Sequence, residues 1–202
     1  TWYEPFLDDP ETDDFAFDED NFYWRFTLDL IDELLRLGRG RFLVEFPDLI
    51  EGLDILASMR GGERLLMDLV ERPEWVQNCL SRITRAYFRA YDPIYERIRD
   101  EQGGSVFWLW GPGRTAKLQC DFSAMISPDM FSEFMVPVLE ELGDGLDFPY
   151  YHWDGPGAIP HHDALLGVDS LRMLQWVPGS GAAPVYSPEW WPLFHKTIEA
   201  GK

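Results

Sequence analysis

The sequence predicts an α/β fold in which a parallel sheet is covered by helices. Two observations predict it. Short apolar segments alternate with helix-like segments along the chain, and the apolar segments lack the in-and-out alternation of a half-exposed strand. A closed barrel and an open doubly wound sheet both fit this pattern. The chain contains neither GxGxxG after a strand nor GxxxxGK[ST], so a dinucleotide-binding or P-loop sheet is not expected.

Helix boundaries are marked by caps, glycines and prolines. Asn21 is a good N-cap, and the helical spacing of apolar residues behind it ends at Gly38. A second helix is predicted to end near Arg60, and a third before Pro73, which suits the first turn of a fourth. Pro93 should kink that fourth helix. Further helices are predicted from Ser127 onward and over 162–166 and 188–200.

Four apolar segments are predicted to be strands: RFLVEFP (41–47), SVFWLWG (105–111), 148–153 and 171–177. Residues 112–126 are predicted to form a long loop, and long loops in compact domains are often functional. Residues 1–20 are acidic and aromatic and are interpreted as an irregular arm. We expect a single domain over 1–202.

Composition and charge exclude several classes of protein. Of the 202 residues, 46% are hydrophobic and 15% aromatic, so the chain should fold. The formal net charge of -19 argues against nucleic-acid binding, because phosphates would be repelled. No apolar run approaches the roughly 20 residues that cross a bilayer, so no membrane association is expected. Cys79 and Cys120 form no CxxC pattern, and a reduced, cytoplasmic location is the expectation.

Candidate site residues follow the predicted strands, because parallel α/β folds collect functional groups at the carboxyl ends of their strands. Asp48 follows the first strand, and Glu45 lies within it. Asp48 could also be a helix N-cap, and Glu45 could pair with an arginine. Arg114, Lys117 and Asp121 lie in the predicted loop and could hold an anionic substrate or form a surface ion pair.

The next two strands supply an imidazole, a carboxylate and an amide. His152 and Asp154 are two residues apart on a strand and therefore share one face. Such a pair can act as acid and base, bind a metal ion, or form a structural hydrogen bond. Gln175 lies in the last strand, before Pro178-Gly179, where small residues either admit a substrate or form a tight turn.

Several segments resemble the uroporphyrinogen decarboxylase superfamily, over roughly residues 41–202. DFSAMISPDMFSEFMVPVLEEL (Asp121–Leu142) resembles the family's Ser-Pro-x-x-Phe-x-x-Phe-x-x-Pro-x-Leu helix, and Gly52–Leu80 is similar to the preceding unit. YHWDG looks like the strand that reads His-x-Cys-Gly in the zinc-dependent methyltransferases acting on corrinoid or thiol cofactors. LRMLQWVPGSG is similar to the strand after it. The branch that the sequence resembles is therefore the corrinoid-methyltransferase-like one.

This resemblance implies a (β/α)₈ TIM barrel, here a partial one whose terminal strands lie outside the chain. His152 falls on the zinc-binding histidine, and Asp154 stands where the methyltransferases have cysteine. Zinc bound by His152 and Asp154 is thus an expectation, although a carboxylate is a harder ligand than a thiolate. The arginine-rich segment of the decarboxylase branch does not occur in this sequence.

Three functions are open at this point. The leading hypothesis is a methyltransferase that acts on a small molecule with a corrinoid or thiol cofactor. Asp121, His152 and Asp154 would be catalytic, while Glu45, Asp48, Arg114, Lys117 and Gln175 would bind substrate. The alternatives are a porphyrinogen decarboxylase of tetrapyrrole biosynthesis and a non-catalytic binding or assembly protein. Expected partners are a small-molecule substrate and either a corrinoid protein or a second copy of the chain.

Overall fold

A computed structural model describes residues 4–202, and residues 4–20 contain neither helix nor strand, as predicted for the arm. Helix α1 spans Phe22–Gly38, and the side chain of Asn21 accepts hydrogen bonds from the backbone N–H groups of Tyr23 and Trp24. The predicted cap and the predicted end at Gly38 are confirmed. Helices α2 (Gly52–Arg60), α3 (Gly62–Glu71) and α4 (Pro73–Ile98) follow.

The second half of the chain alternates strands with short helices. Strands β1 (Ser105–Phe107) and β2 (Leu109–Gly111) form an antiparallel hairpin. Strands β3 (Thr115–Gln119), β4 (Phe148–Asp154) and β5 (Met173–Val177) form a parallel sheet in the order β3-β4-β5. The helices of this half are α5 (Pro128–Phe134), α6 (Val136–Asp144), α7 (His162–Gly167) and α8 (Trp191–Glu199).

The expected (β/α)₈ barrel is wrong. In residues 4–202 the strands form one sheet of two strands and one of three, and neither closes into a ring. Eight strand–helix units are not present in this part of the chain. The prediction of a parallel sheet is confirmed by β4 and β5, which pair over the register Tyr150↔Met173 to Asp154↔Val177.

The barrel prediction is wrong because two of the four predicted strands do not form as expected. Residues 41–47 form no strand, and Phe46 contributes a single backbone N–H bond to Val106 O at 2.9 Å. Pro47 has no N–H group with which to extend a ladder. SVFWLWG is broken at Trp108, whose φ of +55° reverses the chain into the hairpin. An apolar run with β propensity thus forms a two-stranded antiparallel hairpin instead of one barrel strand.

The predicted loop 112–126 is wrong in its first half. It contains β3, which is buried along its whole length and pairs with β4 from Thr115↔Phe148 to Gln119↔His152. A 3₁₀ helix, Asp121–Met125, follows. Thr115–Gln119 has only two strictly apolar residues, so the hydrophobic pattern gave little signal for a strand there.

The two faces of the three-stranded sheet differ in chemistry. One face is apolar and packs beneath the helices, as shown by Tyr151 against Phe131 and by Trp153 against Trp176. The other face bears polar side chains and is partly covered by the β1–β2 hairpin, where Tyr150 donates a hydrogen bond to Phe107 O at 2.6 Å. The sheet therefore separates the core from a polar surface.

None of the helices in residues 4–202 is both long and apolar enough to cross a bilayer. Helix α1 carries large apolar side chains on its outer surface as well as on its packed side, and Phe22, Phe26 and Leu30 are all about half exposed or more. Association with a second copy of the chain stays a prediction.

Candidate functional site

The candidate site is built on the polar face of the sheet, near the carboxyl ends of its strands. The β-sheet register places Gln119, His152 and Gln175 side by side, one on each strand. Lys117 precedes Gln119 by two residues and therefore lies on the same face, one row nearer the amino end. Asp154 follows His152 by two residues and lies one row nearer the carboxyl edge.

Lys117 is a fully buried cation held by three groups. Its Nζ donates to Gln119 Oε1 at 2.5 Å and pairs with Asp48 Oδ1 at 2.6 Å. The ammonium also lies 4.7 Å from the ring centroid of Trp108. Asp48 is about half exposed, so this ion pair has one buried partner, Lys117, and one that solvent can reach. The structure thus brings together Lys117 and Asp48, which the sequence predicted for this site.

Trp108 forms a wall between this cation and His152. Its ring packs edge-on against the imidazole with 5.1 Å between the centroids. Its backbone N–H donates to Glu45 Oε2 at 3.2 Å, which holds the residue in its left-handed conformation. Glu45 therefore supports the wall, a placement that the sequence alone did not suggest.

His152 has one ring nitrogen committed and one available. Gln175 Oε1 accepts a hydrogen bond from His152 Nδ1 at 2.8 Å. In the neutral imidazole this arrangement leaves the lone pair on Nε2. His152 and Gln175 are both only partly buried, so a bound molecule can reach this row.

Asp121 begins the 3₁₀ helix that follows β3. Both carboxylate oxygens of Asp54 accept hydrogen bonds at this helix end, from the backbone N–H groups of Asp121 and Phe122, each at 2.8 Å. Partial burial raises the pKa of the Asp121 carboxyl, and the neighbouring Asp54 and Asp154 raise it further. His152 and Lys117 oppose this shift more weakly, which shows that all these charges act on one another.

Glu51 lies beneath the site and is wholly buried. Its Oε1 accepts a hydrogen bond from the backbone N–H of Gln119. Its Oε2 is without a hydrogen-bond partner in the described part of the chain. Burial raises the pKa of the Glu51 carboxyl well above its ordinary value, although the charge of Lys117 lowers it somewhat. The carboxyl is therefore a buried acid that favours its protonated form.

Arg114 lies at the opposite end of β3, away from the other predicted residues. Its guanidinium donates to Gly145 O at 2.7 Å and to Asp92 Oδ1 at 2.6 Å. It also lies over the ring of Tyr91, 4.9 Å from the centroid. These contacts connect α4 to the start of the sheet, and they do not bring Arg114 together with the polar row.

Sequence reasoning missed three members of this site: Glu51, Asp54 and Trp108. Glu51 and Asp54 fall within the predicted second helix, although each interrupts an apolar stretch, LIEGLDIL. A carboxyl that recurs among apolar residues is a signal of burial with a partner. Trp108 offered no such signal, because it stood within an apolar run.

The donors at this edge do not fit the zinc ion that the resemblance implies. Catalytic zinc commonly has three protein ligands, and residues 4–202 contain no group of three or more His, Cys, Asp or Glu side chains arranged to hold a metal ion. His152 and Asp154 share a face and supply two donors, the imidazole Nε2 and a carboxylate, which is one fewer than such a site commonly has. Cys120 is buried, and burial raises its thiol pKa well above the ordinary value.

Comparisons with known proteins give one structural likeness. No protein-family model matches the chain, and no curated protein matches it. The fold is similar to that of a methyltransferase from Methanosarcina mazei, with a TM-score of 0.54 and 12% sequence identity. The match covers 88% of this chain and 56% of that protein, so the chain spans little more than half of its structural neighbour's length.

At this level of identity the likeness concerns the fold alone. It does not establish the uroporphyrinogen decarboxylase superfamily. The chemistry of this chain must therefore be argued from its own polar edge.

Proposed function

We propose that the chain is the core of an enzyme that transfers a methyl group between small molecules at the carboxyl edge of β3, β4 and β5. The observation that carries the proposal is that Asp121, whose carboxyl pKa is raised by partial burial and by the charges of Asp54 and Asp154, lies within electrostatic reach of His152, an imidazole whose Nε2 is free. The similarity in fold to a methyltransferase supports the reaction class.

The proposed acceptor is a thiol, one of the two alternatives that the sequence leaves open. His152 Nε2 takes the thiol proton, and the sulfur electron pair forms the new S–C bond. The bond between the methyl carbon and its donor heteroatom breaks, and its electron pair stays on the heteroatom. That atom takes the proton from Asp121. A proton passing from the imidazolium to the Asp121 carboxylate restores both groups.

Other side chains of the edge orient the substrate. Gln175 fixes the His152 ring, and Trp108 packs against its edge. Lys117 and Gln119 present a polar row beside the imidazole, and Asp48 balances the buried charge of Lys117. Asp154 raises the pKa of Asp121 through its negative charge. Substrate binding by these groups is part of the proposal.

A porphyrinogen decarboxylase fits the edge less well. Its substrate carries several carboxylates, whereas Lys117 is already paired with Asp48. The neighbouring side chains Asp54, Asp121 and Asp154 would repel such a substrate. The charges at this edge therefore disfavour a substrate with several carboxylates.

The test is methyl transfer with labelled substrates. Purified chain is incubated with 2-mercaptoethanol and a panel of ¹³C-methyl ethers, amines and thioethers, and NMR follows the methyl thioether. Asp121→Asn and His152→Ala should each lower the rate about 10²- to 10⁴-fold, because each removes a proton-transfer group. Asp129→Asn is the matched control, since Asp129 lies in the first turn of α5 outside the polar edge.

Two results would contradict the proposal: no transfer from any donor by the wild-type chain, or full activity in Asp121→Asn. A parallel incubation with a reduced corrinoid in place of the thiol separates the two acceptors. Transfer to the corrinoid alone would keep the reaction class and replace the thiol.

A further inference from the structure

Helix α1 has two apolar sides, and only one of them is covered by the residues that the structure describes. On the inner side, Ile31 and Gly38 are buried, and Trp24 and Leu28 pack against the core. Five large apolar side chains on the outer side are between 47% and 75% exposed: Phe22, Tyr23, Phe26, Leu30 and Leu37. A helix with one covered side normally has polar residues opposite, so a second apolar side indicates a second contact.

The outer side chains of α1 lie next to one another. The ring centroid of Phe22 is 5.4 Å from that of Tyr23 and 6.3 Å from that of Phe26. Leu30 follows Phe26 by four residues and Leu37 follows it by eleven, and both spacings keep a side chain on the same side of a helix. The five residues therefore form a single apolar stripe along α1.

Phe42 extends this stripe beyond the end of the helix. Its backbone N–H donates to Gly38 O at 3.1 Å. A Cβ at Gly38 would lie 2.7 Å from Cε2 of the Phe42 ring, so the ring rests against the last turn of α1. The ring is nevertheless 53% exposed. We call the five outer residues of α1 together with Phe42 the α1 patch.

The α1 patch is large enough to form the centre of a stable dimer interface. An aromatic side chain has about 150–250 Å² of surface, so the four exposed rings of the patch offer on the order of 500 Å². A standard interface takes about 800 Å² from each partner, and roughly 65% of that area is apolar between identical subunits. The apolar area that a dimer needs is thus present on this one surface.

The charge of this segment permits a second copy to approach. The whole chain carries a formal net charge of -19, so two copies repel each other at long range. Residues 22–43 differ from the rest of the chain, because they contain four arginines and three carboxylates, a formal charge of +1. Two copies that meet through this segment therefore face each other with little repulsion at the contact.

We propose that the chain forms a symmetric dimer in which the α1 patches of two copies pack against each other. A two-fold axis brings the same surface of both copies together, so one self-complementary apolar patch is sufficient. Interfaces between identical subunits are more apolar than those of transient complexes, which favours a second copy over another protein. The proposal is independent of the proposed function, because no residue of the α1 patch belongs to the polar edge.

Sedimentation velocity of the purified chain measures the association, at concentrations from about 1 to 100 µM, where the weaker interfaces of this size dissociate. We expect the mass to double as the concentration rises. Phe26→Gln should raise the dissociation constant at least ~10-fold, because aromatic residues dominate interface energies and a two-fold interface loses two of them. Leu30→Gln should act in the same direction.

Met67→Gln is the matched control for these variants. Met67 lies on α3, outside the α1 patch, and its 57% exposure is close to the 55% of Phe26. Both substitutions leave the net charge unchanged, so a difference between them reports the position of the apolar side chain. We expect the dissociation constant of Met67→Gln to equal that of the wild type.

Hydroxyl-radical footprinting locates the contact. Tyr23 in the α1 patch and Tyr186 in the loop after β5 are 75% and 80% exposed, so both rings should react readily in the monomer. In the dimer, modification of Tyr23 should fall at least ~5-fold, because the centre of an interface excludes solvent. Modification of Tyr186 should not change, and Phe26→Gln should restore the reactivity of Tyr23.

Four results would overturn the proposal. The first is a chain that stays monomeric at the highest concentration. The second is a dimer that neither Phe26→Gln nor Leu30→Gln weakens, and the third is an equal loss of association in Phe26→Gln and Met67→Gln. The fourth is a dimer in which Tyr186 is protected and Tyr23 is not.

Discussion

Two buried ionic clusters in this chain differ in how many of their polar atoms have hydrogen-bond partners. In the first, Arg60 donates to Asp68 Oδ2 at 2.6 Å and to the backbone oxygens of Leu7 and Asp8 at 2.8 and 2.7 Å. Asp68 also accepts from Arg72 at 2.8 Å. Every strong group of this cluster has a partner, and the cluster fastens the acidic arm to α2 and α3.

The second cluster, Lys117 with Asp48, Gln119 and Glu51, is only partly satisfied. Glu51 Oε2 has no partner in the described residues, and the carboxyl favours its protonated form. Asp48 reaches the surface, and Lys117 lies in the row behind His152. The comparison indicates that a buried ion pair whose polar atoms all have hydrogen-bond partners stabilises the fold. A buried ion pair with an unpaired polar atom can instead belong to a functional site.

The largest expected effect on stability comes from the first cluster. Arg60→Met should lower the free energy of unfolding by about 3 kcal/mol, because it leaves Asp68 buried with Arg72 as its remaining partner. Urea denaturation measures the change. Arg64→Met is the control, since the Arg64–Asp8 pair is exposed and is worth at most about 1 kcal/mol. Equal losses in the two variants would contradict the comparison.

Replacing the buried cation of the second cluster should change the free energy of unfolding little and should reduce activity. Lys117→Met removes a buried charge, and the released Asp48 can be hydrated because it is half exposed. We expect a change of less than about 1.5 kcal/mol in the free energy of unfolding. Because a charged hydrogen-bond donor is lost from the polar row, kcat/KM should fall roughly 10- to 100-fold. Unfolding and methyl-transfer assays on the same variant check both expectations.

The smallest effect is the pH dependence that Glu51 imparts. Because burial raises the pKa of this carboxyl in the folded chain, the folded state binds its proton more tightly than the unfolded state does. Its contribution to stability is therefore greatest at acidic pH and is lost as the pH rises from the ordinary carboxyl pKa to the folded one. Lys117, Asp54 and Asp48 modify this shift.

Glu51→Gln lacks this ionisation. The free energy of unfolding of the variant, minus that of the wild type, should thus increase as the pH rises from acidic to neutral, as followed by urea denaturation. Glu63→Gln, in the first turn of α3, is the control and should track the wild type. A difference that stays constant with pH would show that the pKa of Glu51 is not raised in the folded chain.

Local signals in the sequence predicted much of the fold. Asn21 and Gly38 bounded α1 because capping and termination depend on neighbouring backbone groups. Ser127 capped α5 for the same reason. The strand prediction at Trp108 failed because a left-handed residue inside an apolar run leaves no mark in hydrophobicity. The barrel failed with it, since closure depends on strands pairing across the whole chain.

Part of the candidate site could be predicted from the sequence, because side chains two residues apart on a strand lie on the same face of the sheet. His152 and Asp154 belong to this class, and adjacent parallel strands placed Gln175 beside His152. Glu51 and Asp54 were not predictable in this way, because they reach the site from a helix start about 68 residues before β3 ends. Arg114 was assigned to the wrong end of β3 because the strand itself was taken for a loop.

The sequence by itself determined the limits of α1, the end of α2, the existence of β4 and β5 and the polar side chains at their ends, because periodicity and caps act over a few residues. Only the tertiary structure decided that the five strands of residues 4–202 form two separate sheets, that Lys117 is buried near Glu51, and that Trp108 packs against His152. These outcomes arise from contacts between residues far apart in the chain. Burial and pairing then set the protonation of groups whose identity alone says nothing about their surroundings.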